Sequence, residues 1–580
     1  MPVSRIPGRP APTTATNQTD KITVDNTNAP ATANTSQQLD RFEHGTRQPT
    51  SSPSTSSAST GQSKSVLRTM FAPYDSTTAA ELEQINEVIS AKQADSRTFP
   101  DGENPYSIKY AVYNLRNPEI IEALIHAEEQ GVDVQVLIED HQLDPKKTWN
   151  TADEQMQEAG FSFSGTHKGL SNEQKKELDM IGIEGSGLMH LKTRLFSYPD
   201  PETGKPIEKV MTGSMNPGDS AANNDETLHL INDPQLVSRY KAKYDAVLDG
   251  KSLPNEWSPD AAVNVLFTPA TKGPQAADKI LEMIDKEDEA IFLGVFSLRN
   301  VESPKQRERM VDKLKKAKER GVPVVVVTDR KQSDGVDAQG NKVGWDDNTE
   351  DLLKQAGIPV YECTNEAGQF NAMHAKYGIF GLSDMKVISD CGNWTKAALG
   401  GRRKKARNDE SYLFIDSKKL DDNATGMRYL SNFLQLIRKY DDQQTGVPNA
   451  DTLFDTLSQH PNWPKVKVDF DVLAQTYYGE EIYITGDHPA FGNWTQEGPG
   501  LKLNTDGESY PNWSTDTAIE LPFGTELEYK IVRRDSHSGE LRWEPGQNQL
   551  LLVDPVHQSG DQEGALSRNL DVKDRFGHNG

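Results

Sequence analysis

Between residues 67 and 445, short apolar-rich runs of strand length alternate with longer segments whose apolar residues recur at helical spacing. The whole order is written twice. Phe71-Ala-Pro73 opens one series and Phe267-Thr-Pro269 opens the other. Each continues through a helical stretch, a strand and the tripeptide Leu-Arg-Asn, at Leu115-Arg116-Asn117 and Leu298-Arg299-Asn300. A second helix ends at Gly131 or Gly321, glycine being the usual residue just past a helix C-terminus. The runs Val134-Gln-Val-Leu-Ile138 and Val324-Val-Val-Val327 then read as buried parallel strands. Further helices end near Ala159-Gly160 and Ala356-Gly357. Matching landmarks in matching order predict an internal duplication, residues 67–255 and 256–445. Strands alternating with helices predict an α/β layered architecture in each half.

The flanks differ. Residues 1–66 are rich in Ser, Thr, Pro, Asn and Gln and poor in large apolar residues, so they predict a disordered leader. A sharper reading makes that leader an uncleaved, Ser/Thr-rich delivery signal of the kind seen on bacterial effectors. Residues 446–462 read as a linker with a short helix. From Trp463 to residue 557 the pattern becomes alternating strands with Gly, Pro, Asn and Asp turns, which predicts a small all-β domain. The polar tail 558–580 is expected to be loose.

Composition narrows the chemistry. A net charge of −24 over 580 residues makes nucleic acid an unexpected partner for the surface as a whole. The 2 cysteines, Cys363 and Cys391, cannot form a disulfide framework. No Cys-x-x-Cys or His-Glu-x-x-His pattern marks a metal site, and no apolar run has membrane-spanning length. The N-terminus lacks the apolar core of a secretory signal, so a cytoplasmic location or delivery without a cleavable signal is expected.

Of the 12 histidines only two begin a His-x-Lys, His190-Leu-Lys192 and His374-Ala-Lys376, and they stand 184 residues apart. If each tripeptide is a strand, the histidine and lysine share a face. A return strand then brings Asn216 or Asn393 beside the histidine. Asn224-Asp225-Glu226 and Asn408-Asp409-Glu410 follow, with the two glutamates again 184 apart. This set suits phosphodiester cleavage without a metal or other cofactor. One neutral histidine can attack phosphorus and hold it covalently, and a second can protonate the leaving oxygen. Lys192, Lys376, Asn216 and Asn393 would stabilise the charge that builds up, and Glu226 and Glu410 could each orient one imidazole. Arg402, Arg403, Lys404 and Lys405, between Asn393 and Glu410, read either as a clamp for phosphate or an anionic headgroup or as a solvated basic loop.

These residues resemble the phospholipase D superfamily, whose signature is His-x-Lys, four residues, Asp, then Gly-Ser-x-Asn. The resemblance covers roughly residues 67–445. It implies two phospholipase D-like α/β layered halves forming one catalytic unit, with His190 as nucleophile and His374 as acid and base. Two departures stand out. Ser197 and Gly381 occupy the position of the family Asp, and Asp390-Cys391 replaces Gly-Ser in the second copy. Some members, such as tyrosyl-DNA phosphodiesterases, lack that Asp and remain active.

In the C-terminal domain, Trp494 and Trp543 fall at turns or strand ends with polar neighbours, where indole faces can stack on sugar rings. Phe491-Gly-Asn-Trp494, Glu528-Tyr-Lys530-Ile and Arg542-Trp543-Glu544 with Asn548 closely resemble starch-binding domains of carbohydrate-binding family 20, a small β-sandwich. The resemblance places Trp494, Lys530, Trp543 and Asn548 on a first glucan site, and Tyr478 with Trp513 on a second. The expected whole is a monomeric phosphodiesterase of phospholipase D type, hydrolase or phosphatidyltransferase. It would act on a phospholipid or another phosphodiester and be held on starch or glycogen. An inactive glucan-binding scaffold and a nucleic-acid phosphodiesterase are the alternatives.

Overall fold

The computed structural model describes residues 66–580 except 100–102, 145, 147–149, 220, 303–307, 337–339, 343–347, 365–371, 402–404, 496–499, 557–568 and 577–580. The leader read at residues 1–66 therefore lies, but for Val66, outside the described residues.

The duplication is explicit in the sheets. The first half orders its strands Leu67–Ala72, Glu226–Ile231, Pro206–Gly213, Lys192–Pro199, Ser107–Val112 and Asp133–Glu139, followed by Met180–Ile183 and Phe163–Ser164. The second half repeats that order with Val263–Thr268, Glu410–Asp416, Lys386–Ser389, Lys376–Phe380, Ile291–Val295, Val324–Asp329 and Val360–Cys363. The first half thus carries one more strand. Both sheets are mixed: Ser107–Val112 runs parallel to Asp133–Glu139 and antiparallel to Lys192–Pro199, as Ile291–Val295 does to its own two neighbours.

Continuous apolar strands arise because both faces are covered. Val134, Val136 and Ile138 pack outward with Ile120 and Leu124 of the helix Pro118–Glu129, while Leu137 faces the other half. Val324 and Val326 likewise face outer helices, and Val325 and Val327 join the shared core. That core also takes Tyr240 and Tyr244 of the helix Pro234–Leu248, and Tyr429, Phe433 and Ile437 of the helix Ala424–Lys439. The repeated Leu-Arg-Asn has a physical reason. The Asn117 side chain caps the helix Pro118–Glu129 by accepting from Glu119 N and Ile120 N, and Asn300 accepts from Val311 N in the helix Met310–Glu319.

The C-terminal domain is two β-sheets packed face to face. One expectation is corrected here. Part of the tail is ordered: Asn569–Arg575 runs parallel to Lys465–Leu473, and the Tyr529 hydroxyl donates to Asp574. The strand closes an edge of Lys465–Leu473 that would otherwise offer unpaired backbone groups. Its three consecutive charged residues, Lys573-Asp574-Arg575, hide it in a polar tail. The linker does contain a helix, Ala450–Ser458, whose Leu453 and Leu457 are buried.

Candidate active site

Each histidine lies just before a strand rather than within it. The strands begin at Lys192 and Lys376, and the residues ahead of them pair with the opposite half. Met189 bridges Asp409, and Asp225 bridges Met373. His190 N donates to Asp409 O at 3.0 Å, and His374 N donates to Asp225 O at 2.9 Å. The side chains follow the same exchange. His190 Nδ1 lies 2.6 Å from Glu410 Oε2, and His374 Nδ1 lies 2.8 Å from Glu226 Oε1. Each glutamate orients the imidazole of the other half.

The repeated Asn-Asp-Glu is a three-part clamp. Asn408 Oδ1 accepts from Leu188 N and its Nδ2 donates to Glu410; Asn224 Oδ1 accepts from Ala372 N and its Nδ2 donates to Glu226. The aspartates are tied by ion pairs that each have one buried member. Asp409 takes Lys243 at 2.6 Å, and Asp225 takes Lys439 at 2.7 Å together with the Tyr440 hydroxyl. The sequence predicts a glutamate beside each imidazole but no role for Asn224 or Asn408. Nor does it predict the lysine partners: Lys243 lies within the helix Pro234–Leu248, and Lys439 ends the helix Ala424–Lys439.

Lys192 Nζ lies 3.2 Å from His190 Nε2 and donates to His190 O, and Lys376 Nζ donates to His374 O. Rings floor the site: Tyr113 lies 5.2 Å from His190, and Phe296 4.6 Å from His374. Burial drives both imidazoles toward the neutral form, against the pull of their carboxylates, and His374 falls to about 4. Burial also lowers both lysines, Lys376 to about 7. The field of Lys376 reaches His190 and that of Lys192 reaches His374, so the two halves share one electrostatic site. Asn216 and Asn393 follow the return strands, and each holds a buried Oδ1 without a hydrogen-bond partner.

The strand that carries Ser197 is braced by a buried ion pair, and the Asp390-Cys391 departure has a structural setting of its own. Two residues beyond Lys192, Arg194 is fully buried and makes a bidentate pair with Glu81 at 2.9–3.0 Å. Its other nitrogen donates to Lys192 O and Met215 O, bracing both the lysine and the residue before Asn216. Asp390 has a φ of 120°, a region favoured by glycine, and its carboxylate accepts from Thr212 and Tyr240 of the first half. Cys391 stands 3.6 Å from Glu410, whereas its counterpart Ser214 donates to Glu226 at 2.6 Å. Burial opposes ionisation of Glu226, but His374, Lys376 and that hydroxyl prevail and hold it down at about 2. Glu139 accepts from Met189 N at 2.6 Å and lies near Asp140 and His141, the one trio of potential ligand residues among the described residues. Its oxygens are already engaged by Met189 and His141.

Of the basic cluster, Arg402, Arg403 and Lys404 lie outside the described residues. Lys405 is exposed. The loop's end, Arg407 and Asn408, abuts Ser186 to Leu188, just ahead of His190.

In the β-domain, Trp494 has a φ of 58°, which holds its indole 6.4 Å from that of Trp543 at an interplanar angle of 33°. Lys530 Nζ donates to Glu544 O and Gly546 O, and Asn548 Nδ2 to Glu528, which fixes the loop beneath the two rings. Tyr478 is fully exposed, with Tyr477 and Tyr510 also exposed. Trp513 departs from the expectation of a sugar-stacking ring: it is 8% exposed, and its indole N–H donates to Ala474 O.

Paired imidazoles backed by carboxylates, with ammonium and amide groups around them, define a phosphodiester-active α/β class. A family model described as "Cardiolipin synthase, PLD-like domain" matches residues 104–248 and 280–427, just over half of the chain, and the chain belongs to this phospholipase D-like family. A model of the starch-binding domain matches residues 465–562. An alpha-amylase of Streptomyces violaceus is 39% identical over 84 residues, 14% of this chain and 14% of that one. The chain spans between 11% and 23% of the curated relatives it matches. Among solved structures, the phospholipase D family member Nuc of Salmonella typhimurium is 21% identical, covering 30% of this chain and 91% of that one, with a TM-score of 0.21. The family 20 module of a maltotetraose-forming amylase from Pseudomonas saccharophila is 26% identical, covering 19% and 100%, with a TM-score of 0.15.

Proposed function

We propose that this chain is a phosphodiesterase that works through a phosphohistidine on His190 and is held on α-glucan by its C-terminal module. The observation that carries this reading is the exchanged pair of His–Glu contacts, His190–Glu410 and His374–Glu226. With Nδ1–H given to Glu410, the His190 lone pair is at Nε2, where it accepts from Lys192 and becomes free to attack once a phosphoryl oxygen takes that donor. In the first step the lone pair forms an N–P bond as the P–O bond to the leaving group breaks. Protonated His374 gives its proton to that oxygen. A bound phosphodiester anion raises the proton affinity of the buried His374 and so loads the acid. In the second step neutral His374 takes a proton from water as the water oxygen bonds to phosphorus, and the N–P electrons return to His190. An alcohol in place of water would make the reaction a transfer. Lys192, Lys376, Asn216 and Asn393 stabilise charge on the phosphoryl oxygens, and the two unpartnered amide oxygens orient whatever donor the substrate or water brings.

Trp494, Lys530, Trp543 and Asn548 form the first glucan site, and Tyr478 leads the second. The phosphodiester is a lipid or phosphorylated material associated with starch or glycogen. The test is turnover of phosphatidylcholine, phosphatidylglycerol and an aryl phosphodiester in the presence of chelator. Activity abolished by both His190→Ala and His374→Ala supports the reading. No turnover on any of the three, with glucan binding intact, leaves the scaffold.

A further inference from the structure

The described residues from 66 onward form one compact unit, so the starch-binding domain is packed onto the catalytic body. The helix Ala424–Lys439 makes the joint. On one side Ser431 bonds Asp554, and Arg438 pairs with Glu526 at 2.8 Å and donates to Gly524 O, all partners lying in the starch-binding domain. Gly524 has a φ of 87°, and a Cβ there would stand 2.6 Å from Leu434, so the domain's turn is seated directly on the helix. Phe433 stacks on Phe292 at 5.3 Å, and Trp463, the first residue of the domain, packs against Phe292 and Phe454.

The same helix ends in the active site. Lys439, the residue after Arg438, and then Tyr440 hold the carboxylate of Asp225. The Asp225 carbonyl accepts from His374 N, its N–H donates to Ala372 O, and the next residue, Glu226, orients His374 Nδ1. The matching grip on Asp409 comes instead from Lys243 of the first half, whose helix neighbours Tyr240 and Tyr244 bond Asp390 and Gln135. The contacts thus join the module to one histidine of the two.

We infer that the starch-binding domain, acting through the helix Ala424–Lys439 with Lys439 and Tyr440 as positioning residues, sets how His374 is held, and so acts on the chemistry as well as on where the protein binds. The inference rests on the acid and base role proposed above for His374. Coupling of this kind runs through packed elements and is altered by substitutions that touch neither ligand.

The test uses the full chain without glucan. Arg438→Ala combined with Asp554→Ala loosens the joint; Glu526→Ala, at a side chain 51% exposed, is the milder variant if the first does not fold. Two readouts are taken: the pH profile of kcat on the aryl phosphodiester, and the imidazole resonances of protein labelled with 15N-histidine. The expected result is a kcat lower by about 3- to 10-fold with a smaller change in KM. The pH limb assigned to His374 moves, its Nδ1–H resonance shifts, and the His190 resonance stays in place. Unchanged resonances and an unchanged pH profile, with only thermal stability lowered, would overturn the inference. If the parent protein turns over no substrate, the phosphodiesterase reading fails alone, and the resonances still decide the question of position.

Discussion

His190 and Glu410 lie 220 residues apart in sequence and 2.6 Å apart in space, while the glutamate of His190's own half is bonded to His374. The exchange makes each carboxylate answerable for the chemistry of the other half. Glu410→Gln should therefore disable His190, and Glu226→Gln should disable His374. Each is expected to lower kcat on the order of 10²- to 10⁴-fold with little change in fold, by analogy with removal of a triad carboxylate. Steady-state kinetics with circular dichroism checks this; full activity in either variant would break the assignment.

The two histidines should separate in a burst experiment. An aryl leaving group needs no acid, so His374→Ala should release about one equivalent of phenol per enzyme and then stall as an acid-labile phosphoenzyme. His190→Ala should give no burst. A burst from His190→Ala instead would reverse the two roles.

Arg194 and Glu81 form a fully buried ion pair. Removing one partner leaves the other charge buried and unpaired, so Glu81→Ala should cost about 3–5 kcal/mol. Replacing both, as Glu81→Leu with Arg194→Met, should recover much of that. Urea denaturation measures both, and a Glu81→Ala protein as stable as the parent would contradict the packing described.

His229 is buried between Thr69, Ser389 and Tyr429, and burial drives it down to about 3. The unfolded chain takes up a proton near pH 6.5 that the folded protein refuses until about pH 3. Its contribution is therefore fully present above pH 6.5 and is lost as pH falls toward 3. His229→Asn removes the titration, so the slope of stability against pH between 6.5 and 4 should be shallower than in the parent. Urea midpoints taken across that range provide the comparison.

On the glucan side, Trp543→Ala or Trp494→Ala should each weaken binding of β-cyclodextrin by about 10- to 30-fold, roughly 2 kcal/mol. Titration calorimetry reads this directly. Trp513→Ala should instead lower stability, because its ring is buried and its N–H is bonded to Ala474.

The sequence carried the order of both halves because the pressures that made it legible are local. Asn117 caps a helix, Val324 to Val327 need two covered faces, and both occur twice. It also carried the repeated set His190, Lys192, Asn216 and Glu226 with its copies as a candidate site. The pairing was less visible. Glu226 is nearer to His190 along the chain, and only the apposition of two sheets hands it to His374. Glu81 was hidden for the same reason: it lies 113 residues from Arg194, on a helix whose buried face mixes polar residues such as Thr77 and Gln84 with apolar ones. The strand Asn569–Arg575 was lost to polarity, since an edge strand with one charged face looks like a tail.

The exchanged carboxylates also impose a timetable. During synthesis every strand of the first sheet leaves the ribosome before Glu410 does, so until then His190 has no carboxylate for Nδ1. The His190–Glu410 contact forms only once Glu410 has emerged and the second half has closed upon the first, so the site cannot be assembled on an unfinished chain.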